Sequence, residues 1–549
     1  MKLSIIPKLI ILLYCFIFIL FVAKYAINLP YQDDVNLLQT TLIKNDFKAL
    51  ILNLFSADSD HIQVYPKLTA LLQYKIFGLV DFKWLAIWMN LLVITALFFL
   101  INITKNIKKY FYFLPIFLFI LQPQLYEISF WVLPGLQHSY ALLFVVLSVY
   151  CLDIRKKYNW LSLFWAASAT FCTGNGLLAF FGIIYILILY RRPIWYALGS
   201  FLVCFSIYLT AYKPSPAVTN SLNFANIFNF MALFWASPFE VFNRMHLHKN
   251  GGIVIFIIFI LVGLYITLKI FKSKSIASLP LAKLLSVLLF CAGTGLLISL
   301  SREYDVIFSR FQFYAFIGFS VIYLIILETT NAHRQKFVVI SIGGLFTIIS
   351  LFSYFSNFVK IENMSNKYLA DTFNWSLNKT MMMVDQPFLN LVDEVYNKNT
   401  KITNQIVDNK VLNELIINNI NNKSIIENVL KLEQDPYPRR YFAKQHFLLS
   451  DENFDKKTTL NESYFLIFSN KNKNYIIAPQ LFANFKGHFL KTQEYYKKGF
   501  YADIPTLNFE KGIYQIYYLN KNNKAQFNVY DTYQQINLAK SIPEIVNKK

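Results

Sequence analysis

Charge is what this sequence has least of. Asp, Glu, Lys and Arg together make 15% of its 549 residues, against 56% hydrophobic and 18% aromatic. Soluble globular chains carry about 25% charged residues, so the composition excludes an ordinary water-exposed fold and points to a polytopic membrane protein. Cysteine is scarce too. The five present (Cys15, Cys151, Cys172, Cys204 and Cys291) all lie in the apolar part, and the polar C-terminal part has none. That distribution excludes a disulfide framework and any CxxC metal site. No small-x-small cleavage site follows the opening Met1-Lys2 and its long apolar run, so the first segment reads as an uncleaved helix rather than a signal peptide. No internal repeat is visible.

Acids are outnumbered, 31 Asp and Glu against 52 Lys and Arg, for a formal net charge of +21. So basic a chain invites a nucleic-acid reading, but the positions argue against it. Before Asn357 the cations sit mostly in short clusters between apolar segments: Lys105/Lys108/Lys109, Arg155/Lys156/Lys157, Arg191/Arg192, Lys269/Lys272/Lys274 and Arg334/Lys336. Cytoplasmic loops of membrane proteins accumulate Lys and Arg in this way; the implied partner is a lipid bilayer and not nucleic acid.

Apolar segments that approach the roughly 20 residues needed to cross a bilayer begin with 5–29, which stops at Pro30, and continue at 84–104, 111–126, 140–152, 160–171, 177–190, 194–211, 252–271, 284–300, 312–327 and 337–356. With a cytoplasmic N-terminus, about eleven crossings put every basic cluster on the cytoplasmic side and everything after Asn357 outside. The acids supply a second regularity. Of the twelve before residue 357, only Asp153 and Glu328 fall inside, and the other ten fall in external loops. Any chemistry is expected to face outward.

Residues 31–83 read as a first external loop with interfacial helices, since Leu38, Leu42, Leu50 and Leu54 recur near helical spacing between Lys44, Asp46 and Lys48. A second long loop, 212–250, holds a semi-apolar piece, Ile227–Phe242, read as re-entrant or interfacial. After Asn357 the composition turns to Asn, Lys and Tyr. Helices are expected over 384–432, and strands at Tyr464–Ser469, Tyr475–Ala478, Ile513–Leu519 and Phe527–Tyr530. The fold class is thus a polytopic α-helical membrane core, 1–356, followed by an extracytoplasmic α+β domain, 357–549. The abundant Asn and Lys read as AT-rich codon usage, in which triplets such as Asn374-Trp375-Ser376 arise by chance.

The first candidates for chemistry are Asp33 and Asp34, directly after the first apolar segment. A carboxylate beside a membrane is costly and marks a functional site by default; there it can act as a base on an acceptor hydroxyl or amine. The alternative is a solvated helix end. Asp60 and His61 follow in the same loop, able to bind a phosphate, move a proton or hold a metal, or else to make ordinary loop hydrogen bonds. Glu127, Trp131, Gln137 and His138 read as a short external hairpin in which Trp131 could stack on a sugar while Gln137 and His138 bond its hydroxyls; Trp131 as a simple interfacial anchor is the alternative. Asn175, in Thr173-Gly174-Asn175-Gly176, could contact substrate, while its glycines read as a simple turn. Arg302 and Arg310, with Tyr314 close behind, flank the last external loop. Arginine supplies paired donors for phosphate, and Arg310 is the preferred clamp; salt bridges to Glu303 or Asp305 are the alternative.

An acidic pair in the first external loop, just after the first membrane helix, resembles the signature of the GT-C membrane glycosyltransferases, which include protein O-mannosyltransferases and the aminoarabinose transferases that modify lipid A. The resemblance covers about residues 1–356, mostly as architecture. It implies a many-helix core, a polyprenyl-phosphate sugar donor, a first-loop Asp as catalytic base and an inverting transfer at the outer face of a bacterial plasma membrane. Asp-Asp stands where mannosyltransferases have Asp-Glu, and the Trp-Trp-Asp motif of oligosaccharyltransferases is missing, so donor and acceptor stay open. The pattern is also similar to bacterial membrane proteins with an Asp-Asp loop and a Phe-Trp-x-x-x-Gly-x-Gln-His segment, here Phe130 to His138; pilin and O-antigen modifying transferases are neighbours of that kind.

The expected function is therefore transfer of a sugar from a polyprenyl-phosphate donor to an envelope glycan, lipid or protein. A transporter or flippase for a lipid-linked or anionic substrate is the alternative, and a non-catalytic assembly protein a third reading. Transporters place charges at midplane in repeated halves, whereas here the acids crowd the loops. No cofactor is required by the motifs; a divalent metal is left open, with Asp33, Asp34, Asp60 and His61 as the available ligands and no diagnostic spacing.

Overall fold

A computed structural model describes residues 5–43, 46–58, 61–107, 109–212, 224–242, 245–273, 275–301, 307–384, 386–396, 430–434, 446–454, 463–470, 473–521, 527–540 and 543–547. The helices of its apolar part, in chain order, are α1 (Ile5–Tyr25), α2 (Val35–Leu42), α3 (Phe47–Phe55), α4 (Val64–Phe77), α5 (Phe82–Ile101), α6 (Leu114–Ile120), α7 (Tyr126–Phe130), α8 (Val132–Tyr150), α9 (Trp160–Thr170), α10 (Leu178–Leu189), α11 (Trp195–Ala211), α12 (Phe224–Ala236), α13 (Met245–Ser273), α14 (Leu279–Ser301), α15 (Ser309–Thr329), α16 (Ala332–Val338) and α17 (Gly344–Asn378). A small hairpin, β1 (Ala57–Asp58) with β2 (His61–Ile62), precedes α4. The chain divides into two compact units: Met1–Ala26, Thr40–Ile76 and Lys83–Asn357 in the first, and Ile27–Gln39, Phe77–Phe82 and Phe358–Lys549 in the second.

In the first unit, α8 and α15 are buried almost throughout, whereas α1 and α13 leave most of their apolar side chains uncovered. Leu12, Leu13, Phe16 and Ile17 on α1, and Ile257, Ile258, Leu261 and Leu264 on α13, are exposed. Apolar surface on that scale is unstable in water and ordinary against lipid. Among the described residues seven helices are long and apolar enough to span a membrane: α1, α5, α8, α13, α14, α15 and the run α16–α17. The bent pair Tyr110–Ile120 and Pro123–Phe130, kinked by 47°, makes an eighth if it is one span. Helices α9, α10 and α11 are shorter, at 11, 12 and 17 residues; the eleven crossings expected from charge include them. The semi-apolar piece after residue 226 forms α12, packed on α13 and α14.

The second unit is antiparallel β with a helix on it. Its strands are β3 (Lys431–Gln434), β4 (His446–Asp451), β5 (Ser463–Ser469), β6 (Asn474–Ile477), β7 (Phe500–Pro505), β8 (Ile513–Lys521), β9 (Phe527–Asn537) and β10 (Glu544–Asn547), forming a five-stranded sheet ordered β10-β9-β8-β5-β6 and a three-stranded sheet ordered β3-β4-β7. Residues Phe465 and Ile467 of β5 pack with Leu369, Ala370 and Phe373 of α17, while Leu466 and Phe468 join Leu449, Ala502 and Ile504 of the smaller sheet. Burial on both faces explains why β5 reads as the unbroken apolar run Tyr-Phe-Leu-Ile-Phe. The four strand-like runs expected from sequence are β5, β6, β8 and β9. Of the helices expected over 384–432, Gln386–Tyr396 is helical and residues 397–429 lie outside the described set.

Candidate functional site

In the first unit, a cavity of about 410 Å³ opens between α8, α10, α11, α14 and the turn after α9. Polar groups gather on part of its wall: His61, His138, Thr173, Asn175, Tyr208 and Thr294. The rest is apolar, with Phe181, Phe201, Phe205 and Leu297; Phe181, Phe205 and Leu297 are also exposed on the outer surface of the helices.

Local sequence explains the polar wall. The β1–β2 hairpin is pinned where the Val64 amide donates to the Phe171 carbonyl at 2.9 Å and Ile62 packs on Tyr208, which brings His61 Nδ1 to 3.5 Å from the Tyr208 hydroxyl. His138 Nδ1 lies 2.7 Å from the Tyr314 hydroxyl, and both side chains are buried. Asn175 Nδ2 donates to Thr294 Oγ1 at 3.0 Å, while its Oδ1 is buried without a hydrogen-bond partner among the described residues. Asn175 sits in a 3-10 turn, Gly174–Leu177, and Gly176 lets that turn lie on the end of α9: a Cβ there would stand 2.0 Å from the Ala169 carbonyl oxygen. The glycines are thus a packing requirement as well as a turn. Tyr208 and Thr294 were not singled out by sequence reasoning; Thr294 stands in the small-residue run Cys291-Ala292-Gly293-Thr294-Gly295, where close helix approach was legible.

Glu127, Trp131, Gln137 and His138 do not form an external hairpin. Helix α7 ends at Phe130, Trp131 is the single linking residue, and Gln137 and His138 lie inside α8, buried. Pro134 falls in the first turn of α8, where an amide has no helical acceptor and proline costs little, while the Gly135 amide donates to the Trp131 carbonyl at 2.9 Å. Gln137 Nε2 is buried without a partner among the described residues.

Arg310 is already engaged. Its Nη1 donates to Glu127 Oε1 at 3.3 Å, its amide to Glu127 Oε2 at 3.0 Å, and its guanidinium lies 4.9–5.0 Å from the ring centroids of Trp131, Phe308 and Phe311. Glu127 is thus a carboxylate paired with it; Glu303 and Asp305 lie outside the described residues. Behind this pair runs a buried polar belt. Gln124 Nε2 donates to Gln312 Oε1 (2.8 Å) and to the Ser237 carbonyl (2.7 Å), its amide donates to Ser353 Oγ (2.8 Å), and its carbonyl accepts from Ser309 Oγ (2.8 Å). Gln312 Nε2 in turn donates to Glu240 Oε2 at 2.6 Å.

The acidic pair belongs to the second unit. Gln32 donates its amide to the Met383 carbonyl at 3.2 Å, and the Tyr31 ring packs on Tyr368 at 5.1 Å. Asp34 is buried, with Oδ2 accepting the Tyr31 amide at 3.0 Å, and Asp33 is exposed. Gln32, just before them, holds φ at 48°, a left-handed conformation that costs a non-glycine residue on the order of 1 kcal/mol and clusters at functional sites. Asp60 and Arg302 lie outside the described residues. His61 falls in the other unit from Asp33 and Asp34, and among the described residues no group of three His, Cys, Asp or Glu is gathered in metal-holding geometry. Comparison with known proteins gave no match to this chain, whether to a family model, a curated protein or a solved structure.

Proposed function

We infer that the chain is a membrane glycosyltransferase of GT-C type, moving a sugar from a polyprenyl-phosphate donor to an envelope acceptor at the outer face of a bacterial plasma membrane. The observation that carries this reading is the two-sided cavity. Its apolar wall opens among lipid-facing side chains, as a polyprenyl tail requires, and its other wall offers neutral hydrogen-bonding groups suited to sugar hydroxyls. In this reading α9, α10, α11 and the bent pair also cross, giving eleven spans with a cytoplasmic N-terminus.

Asp33, exposed in the second unit beside the strained Gln32, keeps its candidacy as the acceptor base on the resemblance alone, and Asp34 accepts the Tyr31 amide. Asn175, with its uncommitted buried Oδ1, accepts from a sugar hydroxyl. His61 and His138, the basic side chains on the cavity wall, face the departing phosphate, whose neutralisation is a large part of the barrier lowering. Arg310, committed to Glu127, shapes the wall through Phe311 rather than clamping phosphate; Arg302 keeps that candidacy.

The test is mass analysis of envelope glycans, lipids and glycoproteins from cells with the wild-type chain, without it, and with Asp33→Asn or His138→Ala. A mass difference of one sugar unit that disappears in both variants, with each still inserted at wild-type level, is expected. An unchanged product in Asp33→Asn overturns the assignment of the base, and an unchanged envelope without the chain overturns the transferase.

A further inference from the structure

A second cavity, of about 550 Å³, lies between α9 and α11, away from the polar groups described above. It is an open groove, walled by Trp160, Phe164, Tyr196, Val203 and Cys204, with Gly199 on its side. A Cβ at Gly199 would meet nothing within 4 Å, so the space is real and unfilled by the protein. On the α11 side the lining includes the small residues Gly199 and Ser200, which leave it room.

One end of this groove is basic. Helix α9 begins three residues after Lys157, and α11 begins three residues after Arg192. Lys156, Lys157, Arg191 and Arg192 are all exposed. The one acid in these two loops, Asp153, is taken up by Arg155, whose Nε and Nη2 donate to it at 2.9 Å. Aromatic rings mark the level between charge and groove: Tyr158 stacks on Trp160 at 5.6 Å and meets Tyr196 edge-on at 5.7 Å, and Lys157 Nζ lies 5.2 Å from the Tyr158 ring centroid. Arg191 is held at φ 53°, a helix-end position that ordinarily takes glycine, yet the chain keeps a cation there.

We propose that this groove is a binding site for one anionic phospholipid of the bilayer, its headgroup phosphate on Lys156, Lys157, Arg191 and Arg192 and an acyl chain along Trp160, Phe164 and Val203. Basic pockets between membrane helices take anionic headgroups in this way. A positive loop alone would serve as a topology signal; the apolar slot directly beneath the charge gives the lipid a second point of attachment. The site is independent of the transferase reading.

The experiment uses the full chain in phosphatidylcholine vesicles titrated with phosphatidylglycerol or phosphatidylcholine brominated on the acyl chain, reading Trp160 as the fluorescence lost in Trp160→Phe. Brominated phosphatidylglycerol is expected to quench Trp160 at a lower mole fraction than the brominated phosphatidylcholine. Lys157→Gln or Arg192→Gln is expected to raise that mole fraction about five-fold each. Gly199→Phe, which fills the slot without altering charge and so leaves topology signals intact, abolishes the preference. Equal quenching by the two lipids in the wild type, or a preference that survives Gly199→Phe, overturns the proposal.

Discussion

At the scale of single residues, Glu127 and Arg310 show what burial does to a charge. Their side chains are 10% and 17% exposed, and breaking a buried pair by removing one partner costs about 3–5 kcal/mol because the other charge is stranded. Glu127→Gln should therefore lower the unfolding temperature of the purified protein strongly, and adding Arg310→Gln should recover part of the loss; a phosphate-clamping Arg310 would instead leave stability nearly unchanged when Glu127 is neutralised. From the sequence, an arginine expected in an external loop is unusual and needs an acid. It did not show which acid, because Glu127 is 183 positions away and the nearer Glu303 and Asp305 competed for the assignment. Asp33 and Asp34 were legible as a motif, but the left-handed Gln32 before them leaves no mark in sequence, since nothing but the fold forces a glutamine into that conformation.

Among the elements, the C-terminal half of α17 puts three of the abundant asparagines to structural use. Asn374 donates from Nδ2 to the Ile476 carbonyl and accepts the Ile476 amide at Oδ1, both at 2.7 Å, while Asn363 repeats the pattern on Leu481 and Asn378 donates to the Asn474 carbonyl. The amides of Asn374 and Asn378 stand in for a neighbouring strand along the edge of β6, which would otherwise offer unpaired backbone groups, and Asn363 does the same for the chain just beyond it. Asn374→Ala orphans a buried donor and acceptor at about 1–3 kcal/mol each, so the chain should become markedly easier to unfold in thermal melts, whereas Asn363→Ala at the half-buried position should cost less. Strand alternation and apolar runs made β5, β6, β8 and β9 legible. The strands β3, β4, β7 and β10 were not, because they are short or mixed in polarity and are completed by partners far along the chain.

For the molecule as a whole, the apolar segments were the most legible feature, since each needs only composition and length. What length alone leaves open is whether α9, α10 and α11 cross. Reporter fusions give the answer: alkaline phosphatase fused after Asp81, after Asn175 and after Asn357 should be active, and fusions within 155–157, 191–192 and 272–275 inactive. An active fusion at the Arg155 cluster would reverse the orientation and put Asp33 on the wrong side for an external acceptor. The hydrogen bonds of Gln124 carry a further consequence, one of timing. Its amide has Gln122 Oε1 at hand, 2.8 Å away, but its carbonyl waits for Ser309, 185 residues downstream, and its Nε2 for Gln312, 188 downstream. At ribosomal speeds of about 5–20 residues per second, the first wait alone is roughly 10–40 s. For that interval the Gln124 carbonyl is an acceptor without its donor, costly in a hydrocarbon setting, so the nascent chain needs shelter at the insertion machinery until residue 309 has been made.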